Sequence, residues 1–517
     1  MNKRTNLIAV VTLFALLLSL LISGCSSDAE YVVEERDGGV YITDYRGRGG
    51  CVAVPDEIDG KKVVGIGDFA FANTSSLTEV VLPESVEHIG KYAFANCTRL
   101  ASIDMPTGEY TLGKGAFSSC EKLGAIDISG VKNIPESCFE GCYSLKSVTV
   151  GELTGIDKKG FSGCSAMESI IIPDTLKALG ERAFSLCENL IEISFGKGIE
   201  SIGKECFYGV SAPIYLSGAD KLSCISAGLF GGYEGESVKL PTSLKSAESG
   251  AFDGCRAQII ISGSRELTFP EYFFEGYLGE SIDLSGFDGN IGASAFYGVS
   301  AELDFGDSFP EVVGERAFSG YLGERLTIGA SIKQIGQYAF AYAECDIYFA
   351  EGGTITEIGD YAFAEWMGES VTLPESVTNI GAYAFYKCKN LKALPLFEGI
   401  VTVGEGAFAE CNKITLIGLP RSLTEIGKGA FRNMLNLRSV FLGSSVVTIG
   451  DEAFRSCGKL EKMEFGKTVK FIGENAFYGC TNLLEITYFG SESDWNSIEI
   501  VGEDTLYFAS PKFNSDK

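Results

Sequence analysis

Nineteen phenylalanines recur along this chain at intervals of 22 or 23 residues: Phe71, Phe94, Phe117, Phe139, Phe161, Phe184, Phe207, Phe230, Phe252, Phe274, Phe296, Phe318, Phe340, Phe363, Phe385, Phe408, Phe431, Phe454 and Phe477. A period of that length marks a stack of supersecondary units, each buried only by its neighbours. The length of 517 residues would otherwise suggest three or four globular domains. The unbroken register argues for one repeat domain, and it tilts the functional expectation from catalysis towards recognition.

One unit runs Ile66, Gly67, Ala70, Phe71, Leu77, Val80, Leu82 and Pro83, and the next repeats it as Ile89, Gly90, Ala93, Phe94, Cys97, Leu100, Ile103, Met105 and Pro106. The last apolar pair is spaced by two, which is strand spacing with both side chains on one face. The stretch from the glycine through Ala-Phe is read as a short helical or 3₁₀ piece. The glycine four residues before the phenylalanine suits either a positive φ or a close backbone approach. Pro135, Asp157, Ser226, Glu248 and Pro270 replace it in five copies.

This frame resembles the BspA-like, or treponemal-type, leucine-rich repeat, with its I-G-x-x-A-F-x-x-C-x-x-L-x-x-I-x-L-P pattern, over roughly residues 63 to 490. The resemblance implies an α/β repeat solenoid, a leucine-rich-repeat-like array with one short parallel strand and a short helical/3₁₀ segment per 22–23-residue repeat. Family members are mostly bacterial surface proteins, some of them adhesins. Tyr41 to Val63 looks like the family's N-terminal cap, and Tyr488 to Ile498, with Trp495, like its C-terminal cap. The expected organisation is a signal peptide at 1–24, a lipidated N-terminus, tether and cap at 25–62, the repeats at 63–487, and a cap and tail at 488–517. Nineteen rungs spaced by strand pairing would span on the order of 90 Å.

From Phe207 to Phe363 the leucine six residues after the phenylalanine disappears. A two-repeat super-period replaces it: Tyr233, Tyr277, Tyr321 and Trp366 each stand three residues after the phenylalanine, with Gly-Glu following. Val210, Cys255, Val299 and Ala343 occupy the same site in the intervening copies. Alternating large and small residues can interdigitate at interior density, so these rings are expected in the core. The alternative is a Tyr/Trp and Glu stripe that binds a ligand such as a glycan.

The N-terminus reads Lys3-Arg4, an apolar run from Leu7 to Leu21, then Ile22-Ser23-Gly24-Cys25. It has the form of an export signal, and Ile-Ser-Gly-Cys resembles the bacterial lipobox, which implies that Cys25 is diacylated. The run falls short of the ~20 residues needed to span a bilayer. The expectation is an exported protein anchored to the cell membrane or cell surface, with a tether of about five residues reaching roughly 17 Å. The formal charge of −27 argues against nucleic acid and against direct binding of anionic headgroups.

Sixteen cysteines in an exported protein would ordinarily suggest disulfides. Ten of them, Cys97, Cys120, Cys142, Cys164, Cys187, Cys255, Cys388, Cys411, Cys457 and Cys480, sit three residues after the phenylalanine. That placement is a core ladder of free thiols. No CxxC pair occurs and histidine appears once, so no zinc site is expected; no run has the carboxylate spacing of an EF-hand loop, which leaves calcium open, and no metal-site residue or cofactor is assigned.

His88 is the only histidine, and it is read as a solvated linker residue on the convex side, with Glu84 and Glu87. No catalytic motif surrounds it, and the chain is read as a non-enzyme. Binding is expected on outward strand positions, with Asp283, Glu302, Asp304, Arg325, Asp346 and Tyr348 as candidate ligand-binding residues. The partner would be an extended protein or glycan. The function read from the sequence is adhesion-like capture at the cell surface, and the alternative is a structural scaffold of the envelope.

Overall fold

The computed structural model describes residues 30–514 apart from 37, 217, 262–266, 288, 307–308 and 503–510. Cys25 and the apolar run before it lie outside the described residues. Among those described, no helix is long and apolar enough to cross a membrane. The chain divides into two compact units. One holds the described residues through Lys221 together with Gly232–Glu236, and the other holds Leu222–Gly231 and the residues from Ser237 onward.

Both units are repeat solenoids of parallel strands. In the first, an antiparallel hairpin, Tyr31–Arg36 with Gly39–Tyr45, leads into parallel pairing of Gly39–Tyr45 with Lys61–Ile66. Two parallel ladders then run side by side. The longer strands, such as Gly50–Ala53, Leu77–Val81 and Ser102–Asp104, form one ladder. Two-residue strands such as His88–Ile89 and Thr111–Leu112 form the other. The second unit repeats the arrangement, for example in Leu416–Gly418, Ser439–Phe441, Lys462–Gly466 and Glu485–Phe489, with Glu425–Ile426, Thr448–Ile449 and Phe471–Ile472 beside them. The expectation of one strand per repeat is therefore corrected to two. A two-residue strand contributes a single buried side chain, such as Ile89 or Ile426, and a single residue carries no alternation to recognise.

The segment around the phenylalanine is neither a helix nor a 3₁₀ piece, so the α/β label is corrected as well. It is a run of turns in which alternate N–H groups serve different rungs. Ala93, Ala95 and Cys97 donate to the carbonyls of Gly90, Tyr92 and Phe94 within their own rung. Tyr92, Phe94 and Asn96 donate instead to Lys114, Ala116 and Ser118 of the next rung, each at 2.8 Å. The backbone achieves this by turning left-handed two residues before and two residues after every repeat phenylalanine, as at Tyr92 (φ 53°) and Asn96 (φ 60°). An α-helix keeps all its N–H groups on its own axis, so it could not bond the neighbouring rung. Each left-handed non-glycine residue costs about 1–2 kcal/mol, and the cross-rung hydrogen bonds offset that cost.

The core is the stack itself. All nineteen repeat phenylalanines are fully buried. Their rings lie almost parallel, as for Phe296 and Phe318 at 5.0 Å between centroids and 1° between planes. The glycine before them is explained by close approach: a Cβ on Gly90 would stand 2.6 Å from the Asp68 nitrogen, and one on Gly113 2.5 Å from the Gly90 carbonyl carbon. The glycine can be replaced because the bond made there is a backbone one. Gly113 donates to Ile89 at 2.7 Å, and Asp157 and Glu248 donate likewise to Ile134 and Ile225 at 2.8 Å.

Candidate functional site

The position three residues after each phenylalanine is the first place where polar chemistry meets the core. The thiols of Cys97, Cys120, Cys142, Cys388, Cys411 and Cys480 each point at the carbonyl oxygen of the preceding repeat's phenylalanine, at Sγ···O distances of 3.0–3.2 Å. All fifteen cysteines among the described residues are free, and only Cys51 is exposed. Burial pushes the Cys97 and Cys142 thiols up to about 12, so nucleophilic thiolate is suppressed there.

Tyr233, Tyr277, Tyr321 and Trp366 take that position in the super-period, and they are buried as well. Each hydroxyl, and the indole N–H, donates to a carbonyl one rung back: Tyr233 to Ala212, Tyr277 to Ala257 and Tyr321 to Ala301 at 2.7 Å, and Trp366 to Cys345 at 3.0 Å. The following glycine accommodates the ring, since a Cβ on Gly323 would stand 2.1 Å from the Tyr321 hydroxyl. The packing reading of the super-period holds, and a ligand-binding stripe of these rings is excluded by burial.

The six candidate residues on the strand face all fall in the second unit. Ser281–Asp283 pairs with Glu302–Asp304, and Arg325–Ile328 with Asp346–Phe349, so Asp283 lies opposite Asp304 and Arg325 opposite Asp346. Glu302, Asp304, Arg325, Asp346 and Tyr348 are exposed and Asp283 is half-buried. One carboxylate oxygen of Asp283 accepts from the Ser285 N–H at 2.9 Å, and one of Asp304 from the Gly306 N–H at 2.8 Å. Both aspartates thus also terminate their strands. The Arg325 guanidinium stacks 4.3 Å from the Tyr348 ring centroid rather than pairing with Asp346. The face therefore offers one cation–π pair beside uncompensated carboxylates.

His88 is not a linker residue: it opens the two-residue strand His88–Ile89. Its ring stacks on Tyr41 at 6.1 Å, and its Nδ1 lies 2.9 Å from the Thr111 hydroxyl. Among the described residues, no nucleophile–base–orienter arrangement forms around it. Among the described residues, no group of three or more His, Cys, Asp or Glu side chains could hold a metal ion.

Two features escaped the sequence. On the turn segment, Tyr338, Tyr361 and Tyr383 stack at 4.6 and 4.9 Å, with the Arg316 guanidinium over Tyr338. A Tyr two residues before the phenylalanine in three consecutive copies was the available signal. The second is a trough of about 440 Å³ at the end of the strand ladder, lined by Phe441, Phe489, Gly443, Gly466, Arg421 and Lys467 among others. Neighbouring-rung register creates it, and no single segment reveals it.

The sequence signature described as "BspA type Leucine rich repeat region (6 copies)" matches residues 64–155, 154–281, 214–304, 267–392 and 356–484. No curated protein matches. Among solved structures, a leucine rich cell surface protein from Faecalibacterium prausnitzii is 23% identical, with 92% of this chain and 97% of that one covered and a TM-score of 0.28. A leucine-rich repeat protein from Bacteroides ovatus is 24% identical, with 95% and 99% covered and a TM-score of 0.31. The T. pallidum leucine rich repeat protein is 25% identical over 45% of this chain and 89% of its own, with a TM-score of 0.26.

Proposed function

This chain belongs to the BspA-type leucine-rich repeat family, and on that premise we propose that it is an exported, lipid-anchored binding protein that captures an extended ligand on its strand face without turning it over. The observation that carries the reading is the division of labour along each strand. Inward residues such as Ile282, Leu303, Leu326 and Ile347 are near-uniform and buried, whereas the exposed positions beside them vary in charge and size. A uniform buried row beside a varied exposed one gives a repeat array a continuous surface for an extended partner.

The anchor in this reading is Cys25. A Cys25→Ala variant should lose metabolic labelling with palmitate and leave the membrane fraction. Labelling that survives the substitution removes the lipid from the proposal.

The strand face is tested by replacing Glu302, Asp304, Arg325, Asp346 and Tyr348 together, against a control set of the exposed loop residues Glu375, Lys389 and Lys413. The readout is cross-linked partner recovered from intact cells. The strand set should lower recovery at least tenfold, about 1.4 kcal/mol, with an unchanged melting profile, and the control set should leave it alone. Loss in the control set only would move binding off the strand face. Recovery of envelope proteins alone, with the face shielded from antibody on whole cells, would favour a scaffold.

A further inference from the structure

We propose that the raised edge carrying Leu278, Leu322 and Met367 docks a basic, proline-rich segment in the polyproline II conformation; this rests on reading the chain as a binding protein and names its partner's chemistry. The edge is the outer side of the two-repeat super-period. After each of the buried rings Tyr277, Tyr321 and Trp366 come an exposed apolar residue, a buried glycine and an exposed glutamate. Leu278, Leu322 and Met367 are 54%, 48% and 44% exposed. The ring beneath fixes each one. A Cβ on Gly279 or Gly323 would stand 2.1 Å from the tyrosine hydroxyl, and one on Gly368 1.8 Å from the Trp366 indole. The glycine therefore lies against the ring, and its two neighbours face solvent.

Cross-rung hydrogen bonds place these residues in one column. The backbone N–H of Leu322 donates to Val299 at 2.8 Å, that of Glu344 to Tyr321 at 2.9 Å and that of Met367 to Ala343 at 3.0 Å. Ser300 and Glu344 hold the column on the intervening rungs, so a large apolar side chain recurs every second rung, about 9.6 Å apart. A polyproline II chain repeats every three residues, about 9.3 Å, so residues i, i+3 and i+6 of such a chain meet all three. A β-strand would turn every third side chain to its opposite face. An α-helix presents one face again only after seven residues, about 10.5 Å, and falls out of step by ~1 Å per period.

Charge sets the sign of the partner. Glu280, Glu302, Glu324 and Glu344 place one exposed carboxylate on each of four consecutive rungs, and none of the four is in an ion pair among the described residues. Arg325, next in sequence to Glu324, is stacked on the Tyr348 ring. At the far end Lys392 pairs with Glu369, which closes the acidic stretch. A second copy of this chain would share the two-rung period but bring the same carboxylates, so like charges oppose it. A segment with one apolar and one basic residue per three-residue turn meets the apolar column and the acidic row together.

The test uses the mature full-length chain and acetylated, amidated peptides, with binding followed by saturation-transfer NMR titration. A peptide of repeated Leu-Pro-Lys triplets should bind at least about fivefold more tightly than repeats of Ser-Pro-Lys, of Leu-Pro-Glu, or of Leu-Pro-Pro-Lys, whose period is four. It should also outbind a helical peptide of Leu-Lys-Ala-Ala-Ala-Ala-Ala heptads. The variant Leu278→Ser/Leu322→Ser/Met367→Ser alters exposed side chains only, and it should erase the advantage of Leu over Ser. Glu280→Lys/Glu324→Lys should reverse the preference in favour of the Leu-Pro-Glu repeat. Leu435→Ser removes an exposed leucine at the same repeat position beyond the acidic stretch, and it should change nothing. Equal binding of the three- and four-residue periods, tighter binding of the helical peptide, or indifference to either column variant overturns the proposal. If the five-residue strand variant abolishes cell-surface capture while wild type shows no peptide preference, the edge falls and the strand face stands. If the peptide preference holds while the strand variant captures normally, the reverse is true.

Discussion

Leu186 sits at φ 59°, 42% exposed, with its N–H committed to the Tyr208 carbonyl of the next rung at 2.7 Å. A leucine pays for that left-handed backbone, whereas glycine adopts it freely and keeps the bond. Leu186→Gly should raise unfolding stability by about 1 kcal/mol in urea titration. Gly90 is the opposite case, because its backbone approaches the previous rung. Gly90→Ala should destabilise by at least about 1–3 kcal/mol, the scale of overpacking in a close-packed interior. An unchanged urea midpoint would refute the close approach. The buried thiols set a pH dependence. The folded pKa of Cys142 is raised from the usual 9.0 to about 12, so its contribution is complete below the unfolded value and is lost as pH rises through the folded one. Stability should fall between pH 9 and 12, and Cys142→Ala should make that fall shallower.

Within a rung, the long strand and the phenylalanine segment were not equally legible. The long strand was, because its apolar pair repeats at a spacing of two in copy after copy. The phenylalanine was placed in the core correctly, although the backbone carrying it was read as helical. Ala-Phe with a polar first turn fits several local conformations, and the choice among them depends on where the alternate N–H groups find partners. Those partners lie a full repeat away, 21 residues for Phe117 and Cys138 and 22 for Phe94 and Ala116. The packing consequence is testable in the second unit. Phe296 stacks on Phe274 and Phe318 at 5.0 Å each. Phe296→Ala should cost about 3–5 kcal/mol and open a protease-sensitive site on the adjoining rungs first. Uniform loss of cooperativity without a local nick would contradict independent rungs.

Across the whole chain, charge poses two opposed effects of salt. Exposed cross-rung pairs such as Lys132–Glu109 and Lys158–Glu181, both at 2.8 Å, contribute little each and weaken somewhat in salt. The net charge of −27 repels itself over longer distances, and screening removes long-range terms first. Raising NaCl from about 0.05 to about 0.5 M, well across the Debye range, should therefore raise the melting temperature. A fall would mean that the cross-rung pairs dominate.

Period and core identity were readable from the linear chain, because each is a pattern of residue types at short separations: Phe every 22 or 23 residues, and in most copies Cys or an aromatic three positions later. Tertiary structure decided everything that depends on which residues become neighbours across rungs. It made His88 a strand residue stacked on Tyr41, gave the ladder thiols a carbonyl one rung back, and joined Arg325 to Tyr348. It also formed the trough lined by Phe441 and Phe489. Repeats of unequal length pair at offsets the sequence does not state, and side-chain columns exist only once hydrogen bonds between rungs have fixed those offsets.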